Sequence, residues 1–403
     1  MRKAAAASLP ALLFAAGLAL LATGWLSRAD FAELAGRALP ILLFVAAMTV
    51  VTELADRAGL FRVLTAWLAR RAAHSGPPSV ESATARGRVW VLWLLVVALA
   101  TVSTVFLSLD TTAVLVTPVV VSLAVHAKIR PMPFALTTVW LANTASLLLP
   151  VSNLTNLLAQ HQLNMTPLGF AGLLWAPALV GVVVPVAFLA MIFRPDLRGS
   201  YPAPDPPAAG DKPLLILSGV TVALLLPALV SGITVAIPAT IAALFLVVVF
   251  VVRNRGAVRW GIIPLQPLLL AMGLFMVVQA LDSHGMAAAL GSVSGSGDGF
   301  PALLQLAGVG ALSANAVNNL PAYLALESTA NSPVRLAALL IGVNLGPLVS
   351  PWASLATLLW AGRLKALGLH ISWAGYALAG LVLVVVLLPL SVLALWLTVG
   401  LPG

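Results

Sequence analysis

The chain has 403 residues, of which 61% are hydrophobic and only 8% are charged. This composition excludes a soluble globular protein, because apolar runs long enough to cross ~30 Å of hydrocarbon recur from one end to the other. The formal net charge of +9 does not indicate a nucleic-acid partner, since the basic residues lie in short loops between the apolar runs, where they orient membrane spans. The sequence therefore predicts an all-α polytopic membrane protein embedded in the lipid bilayer.

The predicted elements fall into two halves joined by a Pro-rich segment, which we interpret as a cytoplasmic linker over 195–212. The first half, 1–194, contains spans over 8–26 and 38–54, an interfacial helix over 55–72, a hairpin over 88–127, a broken helix over 131–160 and a span over 167–194. The second half, 213–403, contains spans over 213–231, 233–252 and 262–281, a hairpin over 300–328, a broken helix over 333–362 and a span over 372–400.

The two broken helices contain nearly the same polar pattern. Ala142–Leu158 and Val343–Leu359 carry Asn, Pro and Leu at matched positions, so that Asn143 corresponds to Asn344. Backbone that leaves the helix at membrane depth is tolerated only where protein or a water-filled cavity satisfies it. A pair of interrupted apolar segments in matching positions of two halves points to the binding site of a transporter.

The distribution of basic residues predicts the orientation of the chain in the plasma membrane. With a cytoplasmic N-terminus, only Arg28, Arg37 and Arg335 of the 21 Lys and Arg residues remain outside. The C-terminus is then extracytoplasmic, and the second half is the inverted image of the first. We therefore predict two inverted-topology repeats, each with a re-entrant hairpin and a broken transmembrane helix, as in many secondary transporters.

Asp110 is the most informative single residue, because it falls at the turn of the first predicted hairpin, far from any basic residue. A carboxylate at membrane depth is a candidate for binding and releasing a proton or a cation during a transport cycle. The alternative is that Asp110 only caps the second hairpin helix, which begins at Thr111 and Thr112. Its counterpart in the second half, Asn315, is neutral.

The other candidate site residues carry hydroxyl, amide or backbone carbonyl groups at the hairpin turns and in the broken helices. Such groups suit a small neutral hydroxylated solute or a partly dehydrated Na⁺, or they act only as helix caps and interhelical hydrogen bonds. The predicted binding residues are Ser108, Thr111, Thr112, Asn143, Ser146, Ser152, Asn153, Asn156, Asn315, Asn318, Asn319, Asn344, Gly346, Ser350, Ser354 and Thr357.

The sequence contains none of the common catalytic signatures. There is no phosphate-binding loop, nucleophile triad or metal-ligand motif, and the chain has no cysteine for a disulfide or a thiolate site. We therefore expect no enzyme activity, no cofactor and no bound metal.

Four motifs resemble those of the arsenical-pump membrane protein family, the arsenite and antimonite efflux permeases of the ion transporter superfamily, which also contains the divalent-anion:sodium symporters. The motifs are SLDTTAVLVTPVV (108–120), LANTASLLLPVSNLTNLL (141–158), NAVNNLP (315–321) and GVNLGPLVSPWASLATLLW (342–360). The resemblance implies an elevator-type transporter in which the hairpins and unwound helices move. It also implies a cytoplasmic ATPase subunit as a candidate partner, and a homodimer is compatible with it.

The chain departs from both groups of relatives. The Ser-Asn-Thr hairpin tips of the symporters correspond to 108–110 and 313–315 here, and neither tip is intact. Asp110 would repel a dicarboxylate, which argues against that substrate. The efflux permeases usually carry Asn before the hairpin Asp, where this chain has Leu109, and the first half is one span shorter than the second.

The sequence as a whole predicts proton-coupled efflux of arsenite or antimonite as the neutral trihydroxide. Asp110 would carry the proton, and hydrogen bonds would hold the solute, since the chain has no thiolates. A Na⁺/H⁺ antiporter and a symporter for an organic or inorganic anion are the alternatives. A membrane receptor or assembly factor without transport activity is the alternative from a different class.

Overall fold

The computed structural model describes residues 2–73, 86–202 and 210–399. The parts of the predicted elements that fall on residue 1, on 203–209 and on 400–403 lie outside these described residues. Within them the chain forms eighteen α-helices and one short two-stranded ribbon. The structure thus agrees with an all-α fold.

The helices of the first half are interrupted at several points by short irregular turns. They are α1 (Arg2–Ala22), α2 (Arg28–Arg57), α3 (Leu60–Ala73), α4 (Val89–Leu107), α5 (Leu109–Thr111), α6 (Thr117–His126), α7 (Met132–Thr144), α8 (Leu154–Leu163) and α9 (Pro167–Ile192).

The second half contains the same number of helices. They are α10 (Lys212–Val230), α11 (Ala236–Arg253), α12 (Leu265–Asp282), α13 (Met286–Ser294), α14 (Phe300–Val317), α15 (Asn319–Glu327), α16 (Pro333–Leu345), α17 (Leu355–Ala366) and α18 (Trp373–Val399).

Nine helical segments of the described chain are long and apolar enough to cross a membrane. The outward faces of several of them are apolar, with Leu168, Met191, Leu224 and Val252 each more than 65% exposed. Large apolar side chains that cover whole helix faces are expected where lipid, and not water, surrounds the protein. The chain is therefore a multi-pass membrane protein.

Helix α2 differs from the span predicted over 38–54. It is a single helix of 30 residues that begins at Arg28, where the Ser27 hydroxyl oxygen accepts a hydrogen bond from the Asp30 amide at 3.0 Å. Helix α2 also includes 55–57, the start of the predicted interfacial helix. It ends next to Gly59, whose φ of 88° is readily adopted only by glycine, so α3 starts in a new direction.

A two-stranded ribbon, which the sequence did not predict, joins the residues just before α4 to a segment that follows α9. Strands β1 (Arg86–Arg88) and β2 (Ser200–Pro202) pair antiparallel, with Gly87 opposite Tyr201. The Tyr201 hydroxyl donates to the Ala69 carbonyl at 2.7 Å, and burial raises the pKa of Tyr201. A side chain at Gly87 would clash with the Tyr201 ring, whose atoms lie 2.7 Å from the position of a Cβ. Residues 200–202 are thereby fixed to α3.

Two helical hairpins turn at residues with an unusual backbone conformation. Between α4 and α5 lies Ser108, with φ of 116°, and between α14 and α15 lies Asn318, with φ of 140°. Positive φ is uncommon for residues with a side chain, and strained backbone of this kind concentrates at functional sites. A π-helical turn, Thr112–Val116, follows α5 and leads into α6.

Helices α7 and α16 each stop inside the bundle, and the chain resumes as α8 and α17. Two 3₁₀ turns, Ala145–Leu147 and Pro150–Ser152, separate α7 from α8. Irregular backbone over 346–354 separates α16 from α17. Helix α5 and the π-turn pack on α17, whereas α15 packs on α8 and α16. The hairpins and interrupted helices therefore form one contiguous region of the bundle.

Glycines allow α14 and α16 to approach closely. A Cβ at Gly342 would meet the carbonyl oxygen of Ala307 on α14. We expect Gly342→Ala to destabilise the protein by about 1–3 kcal/mol through overpacking. The matched control is Gly362→Ala in α17, where a Cβ would meet nothing within 4 Å. This substitution should stabilise the helix by up to ~1 kcal/mol. Thermal unfolding in detergent measures both effects, and equal effects of the two substitutions would contradict this account of the packing.

Candidate functional site

The tip of the first hairpin holds a carboxylate, one oxygen of which has no hydrogen-bond partner among the described groups. The Oδ1 atom of Asp110 is buried, and none of the described groups hydrogen-bonds to it. The cap of α5 is provided by Ser108, whose hydroxyl oxygen accepts a hydrogen bond from the Thr111 amide at 3.3 Å. Asp110 therefore does not serve as the helix cap that we considered as the alternative to a coupling role.

Hydroxyl groups behind this tip connect the hairpin internally. The Thr112 hydroxyl lies 2.9 Å from the Thr104 hydroxyl and 3.0 Å from that of Ser103. The Thr117 hydroxyl lies 2.8 Å from the Thr138 hydroxyl on α7 and donates to the Thr112 carbonyl at 3.1 Å. This carbonyl is displaced from the regular helical pattern by the π-turn. The chain order alone could not place Thr138 beside Thr117.

A cluster of amide side chains joins the two interrupted helices, and we call it the amide cluster: Asn153, Thr155, Asn156 and Asn344. The Oδ1 atom of Asn344 accepts hydrogen bonds from the Asn153 amide nitrogen and the Thr155 hydroxyl, both at 2.9 Å. The Asn344 amide nitrogen donates to Asn156 Oδ1 at 2.7 Å. All four residues are buried. Residues about 190 positions apart in the chain thus form one polar centre.

Several other candidate residues surround the amide cluster. Asn143 donates to the Val139 carbonyl at 2.9 Å and reaches the Thr357 hydroxyl at 3.5 Å. Ser146 donates to the Asn143 carbonyl at 2.7 Å, and Ser152 donates to the Val105 carbonyl on α4, also at 2.7 Å. Ser354 directly precedes α17, and its buried hydroxyl has no hydrogen-bond partner among the described groups.

The second hairpin has its own polar cluster, which we call the Asn315 cluster: Asn315, Asn318, Gly346, Ser350 and Trp352. The Asn315 amide nitrogen donates to the Gly346 carbonyl at 2.8 Å, and its Oδ1 accepts from the Ser350 amide at 2.9 Å. The Asn318 amide nitrogen donates to the Trp352 carbonyl at 2.8 Å. These bonds fix the turn of the hairpin to the irregular backbone between α16 and α17.

The candidate residues are therefore distributed over three places. Asn143, Asn153, Asn156, Asn344 and Thr357 meet in or beside the amide cluster. Ser108, Asp110, Thr111 and Thr112 lie at the first hairpin tip, which contacts α17. Asn315, Asn318, Gly346 and Ser350 meet in the Asn315 cluster, and the Asn319 amide donates to the Ala353 carbonyl beside it at 2.9 Å.

The chemistry available in these clusters is that of neutral hydrogen-bonding groups plus one carboxylate. None of the clustered side chains is basic, so a multiply charged anion would meet no cation there. Within the described ranges, no three His, Cys, Asp or Glu side chains come together as a group that could hold a metal ion. The arrangement suits a small solute with several hydroxyl groups.

An ion pair that the sequence did not predict lies outside these clusters. The Arg37 guanidinium on α2 pairs with the Glu327 carboxylate at the end of α15. The Tyr323 hydroxyl donates to the same carboxylate at 2.8 Å. Glu327 and Tyr323 are buried. The only signal in the sequence is that both charges interrupt apolar segments, and this does not reveal that they are paired.

Asn344 should be important for stability. Asn344→Ala leaves Asn153, Thr155 and Asn156 each without one partner, and an unsatisfied buried polar group costs about 1–3 kcal/mol. We expect the free energy of unfolding to fall by about 2 kcal/mol or more. This is less than the summed cost of three unsatisfied groups, because partial rearrangement within the membrane can satisfy some of them. Ser391→Ala is the control, because the buried Ser391 hydroxyl has no hydrogen-bond partner among the described groups. Thermal unfolding in detergent should separate the two, and similar midpoints would contradict the role of the amide cluster.

Apolar spanning helices that are interrupted around buried polar clusters define the chain as a secondary transporter of the membrane. The chain belongs to the CitMHS family, described as "Citrate transporter", whose profile matches residues 1–331.

Curated relatives match nearly the whole chain. The arsenical pump membrane protein of Escherichia coli (strain K12) is 29% identical over 376 residues, covering 87% of this chain and 84% of that protein. The arsenical pump membrane protein of Yersinia enterocolitica is 29% identical over 381 residues, covering 88% of this chain and 86% of that protein. A putative arsenical pump membrane protein of Bacillus subtilis (strain 168) is 23% identical over 428 residues. The predicted resemblance is thereby confirmed.

A solved structure has a similar fold. The YdaH transporter of Alcanivorax borkumensis, reported to have an unusual topology, superposes with a TM-score of 0.57 over 93% of this chain and 88% of its own. The sequence identity is 18%, so this likeness concerns the fold alone.

Proposed function

We propose that this chain exports arsenite and antimonite as their neutral trihydroxides, in exchange for protons. The similarity to arsenical pump membrane proteins over most of both chains is the observation that carries the substrate. Beside the amide cluster, the buried Ser354 hydroxyl has no partner among the described groups and offers a neutral donor and acceptor of the kind that a trihydroxide needs. Since the chain has no cysteine, hydrogen bonds and not thiolates would hold the metalloid.

Asp110 is proposed as the group that carries the proton. Its buried Oδ1 is free of hydrogen bonds from the described groups, so the carboxyl is available for a proton or a transported ion. Asn315, which aligns with Asp110 in sequence but precedes the turn of the second hairpin, already uses both ends of its amide. Coupling would therefore be asymmetric and confined to the first hairpin.

We further propose that the two halves are inverted repeats and that the hairpins move with the interrupted helices as an elevator. The pairing of helices supports this. Helix α4 packs on α7 in the first half, and α14 packs on α16 in the second. Across the halves, α1 packs on α12, and α11 packs on α2 in the same way. The basic residues support a cytoplasmic N-terminus and an extracytoplasmic C-terminus. An ATPase subunit and a homodimer remain predictions from the resemblance.

Transport of an organic anion is the second candidate, because the family profile is described as a citrate transporter. The clusters argue against citrate, since they contain no basic side chain and Asp110 would repel carboxylates. A Na⁺/H⁺ antiporter would use the same oxygen atoms. In everted vesicles, collapse of a preset pH gradient by Na⁺ but not by arsenite would favour the antiporter.

Accumulation of arsenite in cells that lack their own exporter tests the proposed function. Expression of the chain should lower the arsenite content of such cells, and a protonophore should restore it. Unchanged arsenite content in cells that contain the protein in their membrane would contradict the proposal.

A further inference from the structure

A cleft of about 150 Å³ opens between α2 and α12 on one side and α8 and α15 on the other. It lies toward the end of the bundle away from α3, because Arg37, in the first part of α2, forms part of its wall. A volume of this size holds several water molecules or a solute of a few heavy atoms. The cleft is separate from the hairpin tips and from the amide cluster.

Two of the helices that line the cleft begin at the candidate site. Helix α8 follows Asn153 and reaches the cleft with Leu158 and Gln162. Helix α15 follows Asn318 and reaches the cleft with Leu324 and Glu327. The two helices pack on each other. The cleft therefore lies at the far ends of the same helices whose first residues form the polar clusters.

The polar wall of the cleft favours an uncharged solute with hydroxyl groups. It contains the Arg37–Glu327 ion pair, Asp282, Gln162, Gln279 and Ser328. The Arg37 Nε atom is buried without a hydrogen-bond partner among the described groups, and Ser328 donates to Asp282 at 3.1 Å. With two carboxylates against one guanidinium, an anion would be repelled, whereas hydroxyl groups can both donate and accept here.

We propose that this cleft is a second solute site, at which the neutral trihydroxide binds on its way between the surface and the polar clusters. The inference rests on the proposed function, because the trihydroxide is the solute assigned there. It adds a selectivity step that precedes or follows binding in the centre, and this step excludes carboxylate anions.

A cysteine-scanning experiment tests the cleft, since the chain has no cysteine of its own. Ser328→Cys places a thiol at the cleft, and Ser292→Cys places one at an exposed serine of α13 that does not line it. Arsenite should slow maleimide labelling of the Ser328→Cys protein at least threefold and leave the Ser292→Cys protein unaffected. A direct reaction of arsenite with a lone thiol would slow the labelling of both variants, so a difference between them reports binding in the cleft. Citrate at equal concentration should not protect either.

Transport gives a second readout. A bulky maleimide at position 328 should lower arsenite transport at least tenfold, whereas the same label at position 292 should not change it. If Ser328→Cys fails to fold, Gln162→Cys on α8 replaces it, because Gln162 is exposed and lines the same cleft.

The outcomes separate this inference from the proposed function. If the unsubstituted chain transports arsenite but the cleft thiol is neither protected by arsenite nor sensitive to the label, the cleft proposal alone is wrong. Protection by citrate and not by arsenite would also overturn it. If the unsubstituted chain transports no arsenite, the proposed function fails, and the assignment of the trihydroxide to the cleft fails with it.

Discussion

Asp110→Asn is expected to abolish arsenite efflux, so that cells expressing it accumulate as much arsenite as cells without an exporter. Asparagine has nearly the same shape as aspartate but cannot take up or release a proton. The tip of the hairpin should survive the change, because the α5 cap is provided by Ser108 and the Asp110 Oδ1 atom forms no hydrogen bond with the described groups. The measurement is arsenite accumulation at equal amounts of protein in the membrane.

The control for Asp110→Asn is the same substitution at an exposed aspartate. Asp298 lies in the loop before α14, where its carboxylate accepts a hydrogen bond from Ser332 at 2.7 Å, and an asparagine can accept the same bond. Asp298→Asn should export arsenite at the parent rate. Export at the parent rate by Asp110→Asn would show that the coupling proton is carried elsewhere.

Removing one partner of the Arg37–Glu327 pair should have the largest effect on stability. The side chains are only 22% and 10% exposed, and an uncompensated buried charge costs about 3–5 kcal/mol. We expect Arg37→Met and Glu327→Leu each to lower the free energy of unfolding by about 3 kcal/mol. The double substitution should recover part of this loss, since a neutral apolar pair leaves no buried charge, while the buried Tyr323 hydroxyl still lacks its acceptor.

The matched control is an exposed pair of the same kind. The Arg253 guanidinium donates to both carboxylate oxygens of Asp211 at 3.2 Å and holds the pKa of that carboxyl below its usual value. Because these side chains are 43% and 33% exposed, Arg253→Met should leave the free energy of unfolding nearly unchanged. If the double substitution at Arg37 and Glu327 is as unstable as the sum of the single ones, the two residues do not act as a pair.

The sequence predicts much of the fold because the bilayer imposes strong constraints. Apolar runs mark the spanning helices, and polar residues within such runs mark the places where helices stop, as at Asn143 and Asn344. The ribbon between 86–88 and 200–202 could not be predicted, since strands of three residues have no periodicity to read. The early start of α2 was missed because polar residues at its beginning, such as Asp30 and Glu33, interrupt the apolar pattern.

The candidate site could be predicted as a set of residues but not as an arrangement. The repeated Asn143 and Asn344 pattern suggested that both interrupted helices contribute to one site. It did not reveal that Asn344 bonds to Asn153 and Asn156 and not to its own counterpart, which depends on how the helices pack. The Arg37–Glu327 pair joins residues 290 positions apart, and single charges in a sequence carry no information about their partners.

The structure adds a physical reason for the difference between the two hairpins. Asn315 is fully occupied in holding the irregular backbone at Gly346 and Ser350, so its side chain is part of the framework. Asp110 lies just after Ser108, the turn residue of the first hairpin, and its Oδ1 atom has no hydrogen-bond partner among the described groups. The proposal that only the first hairpin carries the coupling ion follows from this difference.

Arsenite flux into liposomes that contain the purified protein tests the central claim most directly. Liposomes with an acidic interior should accumulate arsenite as protons leave, and a protonophore or the Asp110→Asn substitution should prevent this. Liposomes without protein measure the leak of arsenite through the lipid. Parallel reactions contain citrate or Na⁺ in place of arsenite. Arsenite accumulation that depends on the pH gradient is the result we expect. Flux of citrate or Na⁺ without flux of arsenite would contradict the account.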